Sequence, residues 1–475
     1  HGGTHAPFGL DGTADSGRAD APIVYTAAPG ENALVSGGLS IPGTAFKAWS
    51  KGPPGVLRAD LSTLGVTKEL LGGMQTSSMK CVGDCQHDKS ELFLDGKAMT
   101  LARYPNKNVA GGWEFLKADL AGTFGRISAN TGGPWFLMKA GPNATRIAGW
   151  ANGEQDQRSG WLHGYWSKDW ADCYRKLLSA TPVTVNGTAY INVSFEAQTH
   201  NDDNVDTHAR FYGVNLISEL DQTDEFYIDE DELLLYFKPP AGSEPSRWVG
   251  AAAPVLSVNT SALINLDNVS HVQLKDLVVA YGRGNGVTMS DVTDVRVENC
   301  TVFGLGRDGM TLGGQDSSVV RSSIHDCGCK GLTTSGGNPA QMKPGNIEII
   351  ENTIKKVAQW KRTYQPPIAF SGSGNVYRGN RVGQVPHTCI TGAGTNLSFS
   401  ENVIDTCAFE SSDVGAFYTC GQGGRAFWSG RGSKVFNNTF KNIRNTAGTG
   451  VQGASVQALV SVWWSTGSVF DVPVM

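Results

Sequence analysis

Residues 297–309 read VENCTVFGLGRDG, and variants of this phrase recur along the chain: RSSIHDCGCKG (321–331), IENTIKKV (350–357), YRGNRVGQV (377–385), SENVIDTC (400–407) and FNNTFKNI (436–443). Aligned on a polar residue two before an apolar one, the polar slot holds Cys300, Ser322, Asn352, Asn380, Asn402 and Asn438. The gaps are 22, 30, 28, 22 and 36 residues, so the period stretches but never falls below 22. Stacked coils with loops of variable length give that pattern. Each copy is short and rich in β-branched residues and Gly, which predicts one coil of short strands, not a helix pair.

Working outward, apolar residues follow a glycine or proline in GNGVTM, RDGMTL, CKGLTT and PPIAFSG, which places Val287, Met310, Leu332 and Ile368 on equivalent strands. Stacked strands lie about 4.8 Å apart, so equivalent positions form ladders with a continuous core inside. A repeated inward Asn can bond its own coil and the next one, so the Asn ladder reads as architecture. Residues 22–38 have the same character. From about Phe46 to Pro254 the rhythm vanishes, and strand-like runs such as ELFLDGKAMTLARYPN and EFYIDEDELLLYFKPP replace it. The expected organisation is first coils at 1–45, an inserted all-β domain at 46–254 sitting over one face of the coils, and the main coils at 255–475.

Sixty Gly, 12 Trp and only 17% charged residues suit a turn-dense β protein with aromatic binding surfaces. A net charge of −5 argues against a nucleic-acid or anionic-membrane partner. No run of about 18 apolar residues offers a membrane span. The chain opens at His1 without an h-region, so any signal peptide is expected to be already removed. Nine cysteines, with eight Asn-x-Ser/Thr sequons at Asn143, Asn186, Asn192, Asn259, Asn268, Asn299, Asn396 and Asn437, point to a secreted, disulfide-bonded eukaryotic glycoprotein. Cys81 with Cys85 suits a small loop, and Cys300, Cys327, Cys329, Cys389, Cys407 and Cys420 fall on neighbouring coils. The odd count leaves one thiol over. No paired C-x-x-C spacing supports a metal, and no cofactor is expected.

Five aromatics, Trp161, Tyr165, Trp166, Trp170 and Tyr174, lie within fourteen residues. They read either as domain core or as a sugar platform, with Trp166 as the candidate contact. Arg362, Tyr364 and Lys343 sit in repeats lengthened by loops, where clefts form.

The phrases APIVYTAAPGE, ELFLDGKAMTLARYPN, HGYWSKDWAD, SGGNPAQMKPG, QWKRTYQPPI, PHTCI and ESSDVGAFY together resemble glycoside hydrolase family 141, secreted proteins with a right-handed parallel β-helix. The resemblance extends to about Gln457. It implies retaining hydrolysis of plant or algal glycans, fucosides or xylans, by two aspartates, one matched by Asp413 in the phrase Asp413–Tyr418; Tyr418 and His387 of PHTCI become sugar-contact candidates. Retention needs two carboxyl groups about 5–5.5 Å apart, close to one coil rise. The family's second aspartate follows a V-Q-G phrase, but this chain reads VQGASVQAL and then VSVWWSTGSVFDVPVM, with no Asp or Glu between Asp413 and Asp471. Three readings stand: a truncated or altered end, a lost carboxylate, or a substitute such as Glu410, Asp405, Asp308 or Asp326. A polysaccharide lyase, with Lys343, Arg362, His387 or Tyr364 as base, is one alternative function. A non-catalytic glycan-binding or structural β-helix, self-associating through its apolar last coil, is another.

Overall fold

The computed structural model describes residues 3–74, 85, 88–107, 116–117, 135–166, 168–196, 205, 209–420, 430–443, 458–463 and 469–471. The chain divides into a coiled unit, His1–Gly38 with Ser257–Thr449 and Ala454–Met475, and an inserted unit, Leu39–Leu256 with Gly450–Gly453.

The coiled unit is a parallel β-helix. Its three strand columns follow from the register. One column runs Val287–Met310–Leu332–Ile368–Ile390–Phe417, and each of these residues pairs with the next across a parallel ladder. A second runs Val297–Val319–Ile349–Tyr377–Phe399–Val435. The third runs Val302–Ile324–Ile354–Val382–Ile404–Phe440. All point inward and are buried, forming one continuous cluster. The N-terminal strands Phe8–Asp11, Ile23–Thr26 and Ala33–Ser36 extend the same three columns.

The glycines that precede the first-column strands have a steric cause. A Cβ on Gly286 would sit 2.5 Å from the Gly309 carbonyl, and one on Gly331 would sit 2.6 Å from the Pro367 carbonyl. Neighbouring coils approach so closely there that a side chain would force them apart.

The Asn ladder is a hydrogen-bond column. Asn380 Oδ1 accepts from Asn352 N (3.0 Å) and Nδ2 (3.1 Å), Asn402 Oδ1 from Asn380 N (2.9 Å) and Nδ2 (3.0 Å), and Asn438 Oδ1 from Asn402 N (3.0 Å) and Nδ2 (2.8 Å). Each Nδ2 also donates to a carbonyl of the preceding coil: Val319, Ile349, Tyr377 and Phe399 in turn. Ser322 and Cys300 continue the column with shorter side chains, Ser322 N donating to Asn352 Oδ1 and Cys300 N to Ser322 Oγ. Buried backbone groups at this corner are thereby satisfied.

The inserted unit is not all β. Its sheets include the antiparallel set Trp135–Lys139, Thr188–Phe195, Asp172–Val185, Trp161–Tyr165 and Arg210–Val214. A helix, Pro142–Asn152, packs Ala144, Ile147, Trp150 and Ala151 into the same core, with Pro142 pre-set for its first turn. Among the described residues no helix is long and apolar enough to cross a membrane.

Candidate functional site

In the coiled unit the third-column strands Thr353–Lys355, Arg381–Gly383 and Val403–Asp405 connect to the next first-column strands through segments 356–367, 384–389 and 406–414. Buried polar side chains concentrate in these connections: Lys361, Arg362, Thr363, Gln365, His387, Thr388, Glu410 and Ser411. Such groups are costly away from water unless partnered, so their partners define the site. A Cys389–Cys407 disulfide, Cα–Cα 5.8 Å, closes the last two connections together. Beside it the Pro386 carbonyl accepts from Glu410 N (3.2 Å), Ser411 N (3.3 Å) and Ser411 Oγ (3.1 Å), and the His387 carbonyl accepts from Ala408 N (2.8 Å).

Arg362 and Glu410 meet in this frame. Arg362 Nη2 donates to Glu410 Oε2 at 2.7 Å and Nε to Oε1 at 3.1 Å, while Nη1 donates to the Ala358 carbonyl at 2.7 Å. Both side chains are 2% exposed. The fork geometry suits a carboxylate and fixes the two connections to each other. This changes two expectations. Glu410, read as a catalytic carboxylate, has both oxygens engaged by a guanidinium, and Arg362, read as a sugar ligand, directs its charge at Glu410.

Asp413 lies three residues further on, exposed, at the end of the braced segment and just ahead of the strand Gly415–Cys420. Its φ of +56° is shared with many corner residues of this helix, so that angle alone marks nothing. On the two preceding connections, 356–367 and 384–389, the rings of Tyr364 and His387 pack at 4.6 Å between centroids. Tyr418 is half-buried in the strand itself, its carbonyl accepting from Thr391 Oγ1 at 2.7 Å.

The remaining candidates lie elsewhere. Lys343 is exposed on a small hairpin, opposite Asn338, at the corner between the first and second columns. Asp308 belongs to the Met310 coil, four coils from Asp413's strand, which is about 19 Å. Burial pushes its carboxyl above the usual range, and its Oδ1 accepts from Lys330 N at 3.0 Å. Asp326, at the end of a third-column strand several coils before Asp413, contacts His325 Nδ1 at 2.6 Å. Asp405 accepts from Thr406 Oγ1 (3.0 Å) and Asn442 Nδ2 (2.8 Å). By register Asp308 and Asp326 lie on coils well before Asp413's strand, while Asp405 opens the same connection as Asp413.

In the inserted unit Trp166 is buried among Phe136, Phe195 and Phe211, with Nε1 donating to the Cys173 carbonyl, so it is core and presents no face to a sugar. Tyr165 and Tyr174 are buried too. Sequence reasoning missed a pair in the same phrase. His163 Nε2 and Asp172 Oδ2, at the two ends of HGYWSKDWAD, lie 2.9 Å apart with no exposed side-chain surface, brought together by register across the hairpin.

Cys85, Cys173 and Cys329 are also disulfide-bonded, whereas Cys300 and Cys327, on neighbouring coils, are buried thiols. Cys81 lies outside the described residues. Asn143, Asn186, Asn268, Asn299, Asn396 and Asn437 are exposed, Asn259 is half-buried, and Asn192 sits mid-strand between two partners with Oδ1 buried.

Comparison with known proteins agrees on the fold. Residues 262–461 match a family model described as a right handed beta helix region. A solved structure described as a glycoside hydrolase superposes with a TM-score of 0.63 at 16% identity, covering 93% of this chain and 88% of that one. The complex structure of XylC with xylose covers 93% of this chain and 60% of that one at 11% identity, with a TM-score of 0.43. No curated protein matches the chain. The chain thus has a right-handed parallel β-helix fold, which it shares with that structure.

Proposed function

We propose that this protein is a secreted glycan hydrolase, acting on plant, algal or cell-surface glycans of the fucoside or xylan type, with Asp413 as the carboxylate that meets the sugar. One observation carries the reading: Asp413 is an exposed carboxylate at the end of a connection braced by the Cys389–Cys407 disulfide, the Pro386 carbonyl and the buried Arg362–Glu410 pair. A rigid, pre-positioned acid on a β-helix flank is what glycosidic chemistry needs. In this reading Arg362 and Glu410 are positioning residues. Tyr364 and Tyr418, both half-buried, border the same connections and line the sugar's approach, with the buried His387 ring packed against Tyr364.

A second reading rests on its own observation. Glu410 is engaged by Arg362, and the chain from residue 414 to 470 holds no Asp or Glu, so a companion acid for a retaining mechanism is missing from the following coil. That favours glycan binding without turnover, together with self-association through the apolar last coil. One assay separates the readings. The protein is incubated with fucan and xylan oligosaccharides and the products are followed by reducing-end release and near-ultraviolet absorbance. Release without absorbance supports hydrolysis; an absorbing unsaturated product means a lyase; retention of oligosaccharide without release means binding alone.

A further inference from the structure

The inserted unit holds a cavity of about 260 Å³ that the glycan reading of Asp413 does not use. Register builds it. Lys176, Trp161 and Val214 lie in one row across three antiparallel strands, and Asn215 follows Val214 at φ +56°. Arg158 and Ser159, at the end of the helix Glu154–Ser159, and the acidic turn 229–231 close the other side. A single water needs about 10–15 Å³ on this measure, so the space suits a ligand the size of a monosaccharide.

The chemistry of the wall narrows the class. Each acid of the turn already has cations: Asp231 pairs with Lys68 at 2.6 Å and Arg158 at 3.6 Å, Asp229 with Arg158 at 3.6 Å, and Glu230 with Lys89. Lys176 is in no ion pair among the described residues; its Nζ donates to the Arg158 carbonyl and lies 5.6 Å from the Trp161 ring. Asn215 is 1% exposed, and its Nδ2 donates to the Ser159 carbonyl at 2.9 Å, but its buried Oδ1 accepts no hydrogen bond. Such an orphaned acceptor needs a donor from a ligand or water. Trp161, half-buried, offers an indole surface beside them.

We propose that this cavity binds a carboxylate-bearing sugar of the hexuronate class, with Lys176 taking the carboxylate, Asn215 Oδ1 a hydroxyl and Trp161 the apolar ring face. Lys176, a lining cation outside the wall's ion pairs, favours a monoanion, and an acceptor plus an aromatic surface favours a polyhydroxylated ring over a bare acid. Burial lowers the Lys176 ammonium to about 8, partly countered by Glu230, and an anionic ligand relieves that cost. The inference concerns the inserted unit alone and does not depend on hydrolysis at Asp413.

The test titrates the full chain with methyl β-D-glucuronide, D-glucose and sodium acetate by calorimetry and by ligand-observed NMR. Glucuronide should bind at least tenfold more tightly than either glucose or acetate. Lys176→Gln and Asn215→Ala should each weaken it by tenfold or more, while Asp413→Asn leaves it unchanged even if hydrolysis is lost. Equal binding of glucuronide and glucose, or acetate binding as tightly as glucuronide, overturns the proposal without any variant. Full glucuronide affinity in a folded Lys176→Gln protein overturns the site.

Discussion

Glu410→Gln keeps the outline of the side chain and removes its charge, leaving the buried Arg362 cation, which also donates to the Ala358 carbonyl at 2.7 Å, without its carboxylate. Removing one member of a buried pair costs about 3–5 kcal/mol, because the other charge stays desolvated. For a unit of this size one kcal/mol moves the midpoint by about 2–4 °C, so a fall on the order of 10 °C is expected. The molecule supplies its own control. Arg247 and Glu244 pair at 2.8 Å, much the same distance, but are 78% and 55% exposed, so Glu244→Gln should cost well under about 1 kcal/mol. The double variant Arg362→Met with Glu410→Leu buries no charge and should recover most of the loss, a coupling that urea denaturation of the parent, Arg362→Met, Glu410→Leu and the double variant measures. A Glu410→Gln protein within about 1 kcal/mol of the parent, or simple additivity in the cycle, would refute the brace.

The other predictions concern the frame around it. Asn402→Ala strips the acceptor from Asn380 N and Nδ2 and the donor from the Tyr377 carbonyl, all buried, and should lower stability by about 3 kcal/mol in urea, against about 1 kcal/mol for the exposed neighbour Asn437→Ala, whose φ of +55° suits Asn better than Ala. Replacing Cys389 and Cys407 by Ser opens an 18-residue loop and should cost about 2–4 kcal/mol, read as the shift in urea midpoint without reductant. Burial raises Glu225 from 4.5 to about 8, so the folded chain holds its proton while the unfolded chain has lost it. Its contribution to stability is therefore full below pH 4.5 and fades as pH rises to about 8, and Glu225→Gln should flatten that part of the urea-midpoint profile.

What the sequence reveals depends on periodicity. The Asn ladder, the Gly286 and Gly331 rule and the inward rows from Val287 to Ile368 all recur at coil spacing, so local pattern and global fold point the same way. The Arg362–Glu410 pair is 48 residues apart, across two connections whose lengths follow no period, and no local pattern links them. Loop length marked Lys343 and Arg362 alike, yet length does not say which corner of the coil a loop leaves from, and the two leave from different ones. Among the clustered aromatics, counting could not separate Trp161 from Trp166; strand parity and the hairpin turn send Trp166 into the core and leave Trp161 at the cavity. The His163–Asp172 contact was legible only once Trp161–Tyr165 and Asp172–Val185 are seen to pair antiparallel, nine residues apart across the turn. The helix Pro142–Asn152 was missed because its apolar spacing is carried by two Ala, one Ile and one Trp in a region dominated by strand signals.

Asp413→Asn tests the central claim most directly, because the side chain is exposed and the substitution leaves the braced segment intact. On a glycan that the parent protein cleaves, the variant should keep the parent's unfolding midpoint and lose at least a thousandfold in kcat, as removal of a reacting carboxylate requires. Undiminished turnover in that folded variant would contradict the account.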